Sequence, residues 1–342
     1  MKSINLFVVA LGLFSLAGVA SGQGTFLLVP DSGRDQIDLF DATTGELVQE
    51  GWVTYAAAGI TGFSTPRAAI QVGKEIWVSD QVQDKIYRWQ ARRTSPAYLG
   101  EISGGLDNIK GMRQVGLSVL VTNGGTDNGA PGEALVRISP TGVILGSFLV
   151  QDPFDVLPYQ GGLLTIQNTL DNIDRYSLAG TFLSVFHDSD GVSGIDLGQQ
   201  MNTDAAGNVI VSSFSAPVGI YRYNSSGAQI NYWPVGNGNR GIYELPGGLI
   251  LYTHSTDVSV LNPADGSTVT LYTGFNASMQ FIHVVTFICP ADFDADGFVT
   301  GDDFDAYVLV FELGIPAADF DGDGFVTGDD FDAFVLAFEA GC

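Results

Sequence analysis

The stretch TPRAAIQVGKEIWVSD, residues 65–80, decides the fold, because its pattern returns along most of the chain. A short strand, PRAAIQV, meets a Gly-Lys turn, and the apolar run EIWVSD follows. Next comes KIYRWQ at 85–90, a second run with an aromatic near its end. The same rhythm marks TFLLVPD (25–31), SVLVTN (118–123), GLLTIQN (162–168), NVIVSSF (208–214) and GLILYTH (248–254). Their starts lie roughly forty to fifty residues apart, the period of a propeller blade. Partner runs QIDLFD, ALVRIS, NIDRYS, GIYRYN and DVSVLN come next, and a turn then leads to a third strand such as VILGSFLV or QINYWPV. Turn signals such as ATTGE, SPTG, NSSG and PADG punctuate the runs. No window carries the period of a long amphipathic helix.

Six such units, each with about four strands, predict a mainly β fold, a six-bladed β-propeller over residues 23–288. The first unit lacks a strand before TFLLVPD, and a spare strand, MQFIHVVTF, stands at 279–287 after the sixth. It is expected to become the innermost strand of the first blade and close the ring, which removes exposed sheet edges. The spacing also accommodates a seven-bladed count or a pair of β-sandwiches. The units resemble NHL or YVTN-type propeller repeats, and residues 65–80 are nearest to that form.

A different text ends the chain. DFDADGFVTGDDFDAYVLVFE (292–312) is written again as DFDGDGFVTGDDFDAFVLAFE (319–339), with only Ala295/Gly322, Tyr307/Phe334 and Val310/Ala337 differing. Each copy places oxygen ligands as an EF-hand-type loop does. In the first, Asp292, Asp294 and Asp296 take positions 1, 3 and 5, Phe298 offers its carbonyl at 7, and Asp303 stands at 12. In the second the set is Asp319, Asp321, Asp323, Phe325 and Asp330. Glycine at the sixth position, Gly297 or Gly324, allows the sharp bend. All-oxygen donors select a hard cation, and the ligand count favours Ca²⁺ over Mg²⁺, so two Ca²⁺ sites are expected. After each loop, Phe304, Tyr307, Val308 and Phe311, then Phe331, Phe334, Val335 and Phe338, fall at helical spacing. Neither half can bury its stripe alone, so the two are expected to pack about a pseudo-twofold axis.

This doubled loop and helix, with Asp at position 12, resembles a type I dockerin. Flanking Cys289-Pro290 and terminal Gly341-Cys342 resemble the GC-type dockerin-anchored bacterial proteins. The resemblance covers residues 289–342 and implies calcium binding and attachment to a cohesin-like or other surface scaffold protein. Such modules often serve assemblies that degrade polysaccharide. Cellulosomal dockerins favour Asn at position 3 and hydroxyl residues near 10 and 11. Here those positions are Asp294 and Asp321, then Gly301-Asp302 and Gly328-Asp329.

Charge and processing signals agree with an exported protein. The net charge is −24, and residues 291–342 hold 14 of the 38 acidic side chains with no Lys or Arg. That balance argues against nucleic acid or an anionic membrane as partner. Residues 1–22 read as a signal peptide: Lys2, an apolar run from Ile4 to Val19, then small residues Ala20, Ser21 and Gly22. An N-terminal membrane anchor is the other reading, and no later segment is long and apolar enough to span a bilayer. The two cysteines, Cys289 and Cys342, bracket the acidic repeat, and in an exported protein they suggest a disulfide. It would close a loop of roughly fifty residues, worth about 4 kcal/mol.

Within the propeller, Arg67, Arg113, Phe154, Arg240 and Gln280 are candidates for an anion- or sugar-binding rim at the top of the channel. The other reading of the arginines is ordinary ion pairs. Among His187, His254 and His283, the last two stand on neighbouring blades, His283 on the closing strand. No set of Glu, Asn, Asp and His matches a lactonase-like or lyase-like mouth, and GVSGID (191–196) lacks the strand–turn–helix setting of a hydrolase elbow. The sequence thus favours a secreted or surface-attached, non-catalytic propeller that binds a carbohydrate or small molecule at its mouth. The alternative is a propeller lyase or hydrolase acting on extracellular carbohydrate with the same tether.

Overall fold

The computed structural model describes residues 24–60, 62–93, 96–190, 192–287, 289–294, 299–321 and 323–340. The chain divides into two compact units, residues 23–288 and residues 289–342. Among the described residues no helix is long and apolar enough to cross a membrane.

The first unit is mainly β and has six four-stranded antiparallel sheets, the blades of a propeller. Blade two shows the plan: Pro66–Val72 innermost, then Glu75–Asp80, Lys85–Gln90 and Tyr98–Ser103 outermost. The inner strands of blades three to six are Met112–Val115, Pro153–Tyr159, Gly198–Thr203 and Asn239–Glu244. Second strands lie between neighbouring blades, which explains their unbroken apolar runs. Ser118–Asn123 and Gly162–Gln167 are buried at every position. Outer strands such as Ile144–Leu149 are largely exposed.

Six apolar clusters fill the six gaps between blades. Trp77, Ile86, Val119, Val121 and Val136 pack blade two on blade three. Ile210, Ile220, Ile242 and Ile250 do the same for blades five and six. Each fully buried side chain of this size contributes about 1.5–3 kcal/mol. The ring closes as expected from the spare strand. His283–Phe287 is the innermost strand of blade one and pairs antiparallel with Gly24–Asp31, Val285 opposite Phe26 and His283 opposite Leu28. Phe287 then packs on Trp52 with ring centroids 5.2 Å apart.

In the second unit two helices, Gly301–Glu312 and Gly328–Ala340, follow the two acidic loops. Their core is built from equivalent residues of the two copies. Tyr307 and Phe334 are fully buried and stack at 3.8 Å between centroids, 10° from parallel. Phe293 meets the Tyr307 ring edge-on at 5.3 Å, and Phe320 meets Phe334 edge-on at 5.5 Å. The Tyr307 hydroxyl donates to the Ala318 carbonyl at 3.1 Å. Cys289 is buried in the same cluster. Its expected partner, Cys342, and the signal-peptide stretch lie outside the described residues.

Candidate functional site

The acidic loops gather their carboxylates. Asp292, Asp294 and Asp303 each bring one oxygen within 4.8 Å of the other two, and Asp319, Asp321 and Asp323 do the same. The donors are all hard oxygens, which fits Ca²⁺. Of the other expected ligands, Asp296 and Phe298 lie outside the described residues. Phe325 has an exposed ring, and its N–H donates to Asp323 Oδ1 at 2.8 Å.

Position 12 also stands at a helix terminus. Asp303 accepts from the Thr300 N–H at 2.8 Å and the Asp294 N–H at 3.1 Å. Thr300 caps the helix in return, so the two form a capping box. Asp330 likewise accepts from the N–H groups of Phe320 at 2.7 Å, Asp321 at 3.1 Å and Thr327 at 2.7 Å. A short carboxylate reaches both the loop and its own helix terminus. Burial pushes the Asp303 carboxyl up, but its backbone donors outweigh that and hold it below the usual range. The Thr327 N–H and its companions hold Asp330 low as well. For Asp321 the single N–H of Asp323 pulls downward, while desolvation and the charges of Asp323, Asp330 and Asp319 give a net rise. A bound cation would relieve that repulsion.

The propeller has a second arrangement, visible only once the blades are superposed by register. In four blades a hydroxyl on the second strand joins two inner strands. Ser79 accepts from the Ala68 N–H at 3.1 Å and donates to the Lys110 carbonyl at 2.7 Å. Thr122 accepts from the Gly111 N–H at 2.9 Å and donates to the Phe154 carbonyl at 3.3 Å. Ser212 links the Gln200 N–H to the Arg240 carbonyl, and Thr253 links the Gly241 N–H to the Gln280 carbonyl. The residue before each of these inner-strand positions is therefore equivalent from blade to blade. The six are Arg67, Lys110, Phe154, Gln199, Arg240 and Gln280.

These side chains converge. Arg67 Nη1 donates to Gln280 Oε1 at 2.7 Å and Arg67 Nε to Gln81 Oε1 at 2.6 Å. Arg240 Nη1 donates to Gln199 Oε1 at 3.2 Å. The Arg67 guanidinium lies 5.9 Å and Lys110 Nζ 5.1 Å from the Phe154 ring centre. Lys110, Gln199 and Gln280 are only 6%, 3% and 1% exposed. Burial, then the Arg240 charge, lowers the Arg67 pKa to about 9. Burial also lowers Lys110 and Arg240. Gly111 lacks a side chain because a Cβ there would sit 2.6 Å from Asp155 Oδ1.

Arg113, expected on the rim, sits three residues further along its inner strand than Lys110, about 10 Å at strand rise. It is a partly buried strut. Its guanidinium donates to Met201 O at 2.7 Å and Val156 O at 3.3 Å, and lies 2.8 Å from His283 Nδ1 and 3.6 Å from Asp155. Gln200 completes this layer, its Oε1 accepting from the Ile242 and Ile282 N–H groups. His254 is engaged away from His283: its Nε2 faces Ser259 Oγ at 3.0 Å and Asp257 at 3.9 Å. One nitrogen serves both, so these three groups do not form a proton relay.

The fold is that of a six-bladed β-propeller. No family model matches the chain, and no curated protein matches it, so the dockerin resemblance rests on the residues quoted above. Solved structures do match the propeller. A chain of the nidogen/laminin complex superposes with TM-score 0.60 at 14% identity, covering 76% of this chain and 98% of that one. A protein of unknown function from Bacteroides caccae gives 0.54 at 13% identity, with 76% and 98% covered. Streptogramin B lyase gives 0.52 at 14%, with 78% and 89% covered. Likeness at this identity speaks for the fold alone.

Proposed function

We propose that the chain is an exported, non-catalytic binding protein. The propeller takes a ligand at its channel mouth, and the C-terminal unit, ordered by two Ca²⁺ ions, fastens it to a scaffold protein at the bacterial surface. The observation that carries this reading is the pair of carboxylate triplets, Asp292/Asp294/Asp303 and Asp319/Asp321/Asp323, each within 4.8 Å. Asp303 and Asp330 tie each loop to its helix, so metal binding becomes helix ordering. The helices also present Leu309 and Leu336 outward at equivalent positions, 59% and 68% exposed. Such exposed apolar side chains on a small polar module suit a protein partner. At the mouth, the six ring positions include no carboxylate or histidine to act as acid or base, which favours binding over hydrolysis or lysis.

The test is capture of a partner from a surface extract by the full chain, with calcium and with a chelator. Calcium-dependent capture, lost in Leu309→Lys/Leu336→Lys, supports tethering. Equal capture in chelator, or by that variant, counts against it.

A further inference from the structure

We infer that the channel mouth is a receptor for a small oxyanion, a carboxylate, sulfate or phosphate group borne by a small solute, held by Arg67, Lys110 and Arg240. The inference rests on the reading of the propeller as the ligand-binding part and names the class of its ligand.

Three observations carry it. The chain has 38 acidic and 14 basic side chains, yet three of the basic ones occupy equivalent ring positions where no acidic residue stands. Among the described residues, none of the three has a carboxylate within 4.0 Å, whereas Arg34, Lys85, Arg88, Arg113 and Arg222 all do. Asp152 and Glu133 act on Lys110, and Asp80 on Arg67, only from beyond ion-pair distance. Clustered, desolvated cations without a contact counter-charge are costly, and an anion bound between them offsets the cost.

The second observation is the accounting of donors. A guanidinium has five N–H groups and an ammonium three. Arg67 gives one to Gln81 and one to Gln280, and Arg240 gives one to Gln199. Lys110 Nζ lies over the Phe154 ring and, among the described residues, donates no hydrogen bond. Donors are thus left over at the ring, and the amides that hold the arginines are neutral.

The third is rigidity. Gln280 Nε2 is itself held by Ser32 Oγ at 2.8 Å and Ser278 O at 3.0 Å, and Gln199 Nε2 by Leu197 O at 3.2 Å. Their carbonyl oxygens must then face the arginines. Gly124 keeps space beside the lysine, since a Cβ there would come within 3.1 Å of Lys110 Nζ. The two arginines are held before any ligand arrives, which lowers the entropic cost of binding. In a protein of net charge −24, this cationic cluster also steers small anions past the acidic surface.

The experiment is calorimetric titration of the full chain, in calcium-free buffer of low, constant ionic strength. Probes are sulfate, inorganic phosphate and glucuronate, with glucose and chloride as controls. At least one oxyanion should bind with a Kd below about 1 mM. Which of the three binds best separates tetrahedral from carboxylate sources. Lys110→Met and Arg67→Gln should each weaken binding roughly tenfold or more, and Lys110→Arg should largely retain it. Arg240→Gln serves if either variant fails to fold. Oxyanions binding no better than chloride, or unaffected by these substitutions, would overturn the inference. Glucose binding that is indifferent to Lys110→Met would overturn it too, while leaving the propeller a binding module.

Discussion

Arg113 Nη1 lies 2.8 Å from Nδ1 of His283, inside the propeller and between inner strands of blades three and one. Arginine has no acceptor and does not lose its proton, so Nδ1 must accept. The imidazole is therefore neutral, with its proton on Nε2. Burial, and then the Arg113 charge, hold its pKa well below the ordinary 6.5. The contact joins the closing strand to a blade that is not its sequence neighbour.

A pH dependence follows from it. Below about 6.5 the unfolded chain takes up a proton at this histidine that the folded chain refuses. Its contribution to stability is full above that pH and is lost as the pH falls. Asp38 acts in the opposite sense. Burial raises it to about 6, despite hydrogen bonds from Gly51 and Gln36 and the charge of Arg34, so its contribution grows as the pH falls through 6. Thermal unfolding of the wild type and His283→Gln between pH 8 and 5 separates the two, because Asp38 is common to both. The wild type should lose stability relative to the variant on acidification. A constant difference would mean the histidine titrates normally.

Ring closure is tested by two truncations. A chain ending at Ser278 lacks the strand His283–Phe287 and exposes the edge of blade one along Gly24–Leu28. It should be insoluble or unfolded. A chain ending at Ile288 keeps the strand and drops the second unit, and should unfold cooperatively at nearly the temperature of the full-length propeller. If both behave alike, pairing of residues 283–287 with 24–28 is not what closes the ring.

Much of this architecture is legible in the sequence, and the missing part has a physical cause. Second strands such as GLLTIQ are apolar throughout because both faces meet a neighbouring blade, so their period marks the blades. The mouth is harder to read. Inner strands carry register shifts, between Pro66 and Ala69, Pro153 and Val156, Gly198 and Met201, and Asn239 and Ile242. Alternation therefore does not tell which residue faces the channel. Charge alone points to Arg113 as a rim residue, and nothing in the local alternation points to Lys110 or Gln199. The signal that could find them is the hydroxyl late in four of the six apolar runs, at Ser79, Thr122, Ser212 and Thr253. In the tail, the capping role of Asp303 is foreshadowed by Thr300 three residues earlier.

The stack of Tyr307 on Phe334 predicts an asymmetric pair of outcomes. Phe334→Ala removes a fully buried ring, which costs about 3–5 kcal/mol, more than a unit this small is expected to spare. Helix from the second unit should vanish while the propeller transition stays. Tyr307→Phe loses only the bond to Ala318, about 1 kcal/mol, and copies the residue that stands at the equivalent place in the second repeat. Calorimetry of the full chain reads both, as one transition lost or slightly lowered. An unchanged second transition in Phe334→Ala would refute the shared core.

The two acidic loops, proposed as calcium sites, make the sharpest demand. Isothermal titration of the full chain with Ca²⁺ should give two sites, and Asp319→Ala should leave one. Helix measured by circular dichroism should rise with Ca²⁺ and respond more weakly to Mg²⁺, because the smaller ion demands stricter geometry. Asp303→Ala should harm more than Asp292→Ala. Asp292 belongs to the carboxylate triplet, whereas Asp303 belongs to it and also closes the capping box with Thr300. Losing a cap costs about 1 kcal/mol. The first helix of Asp303→Ala should therefore need more calcium to form, and should melt at lower temperature even when loaded. Equal behaviour of the two variants would remove the dual role assigned to position 12. Helix already complete in chelator would remove the coupling between metal and fold on which the proposed tether depends.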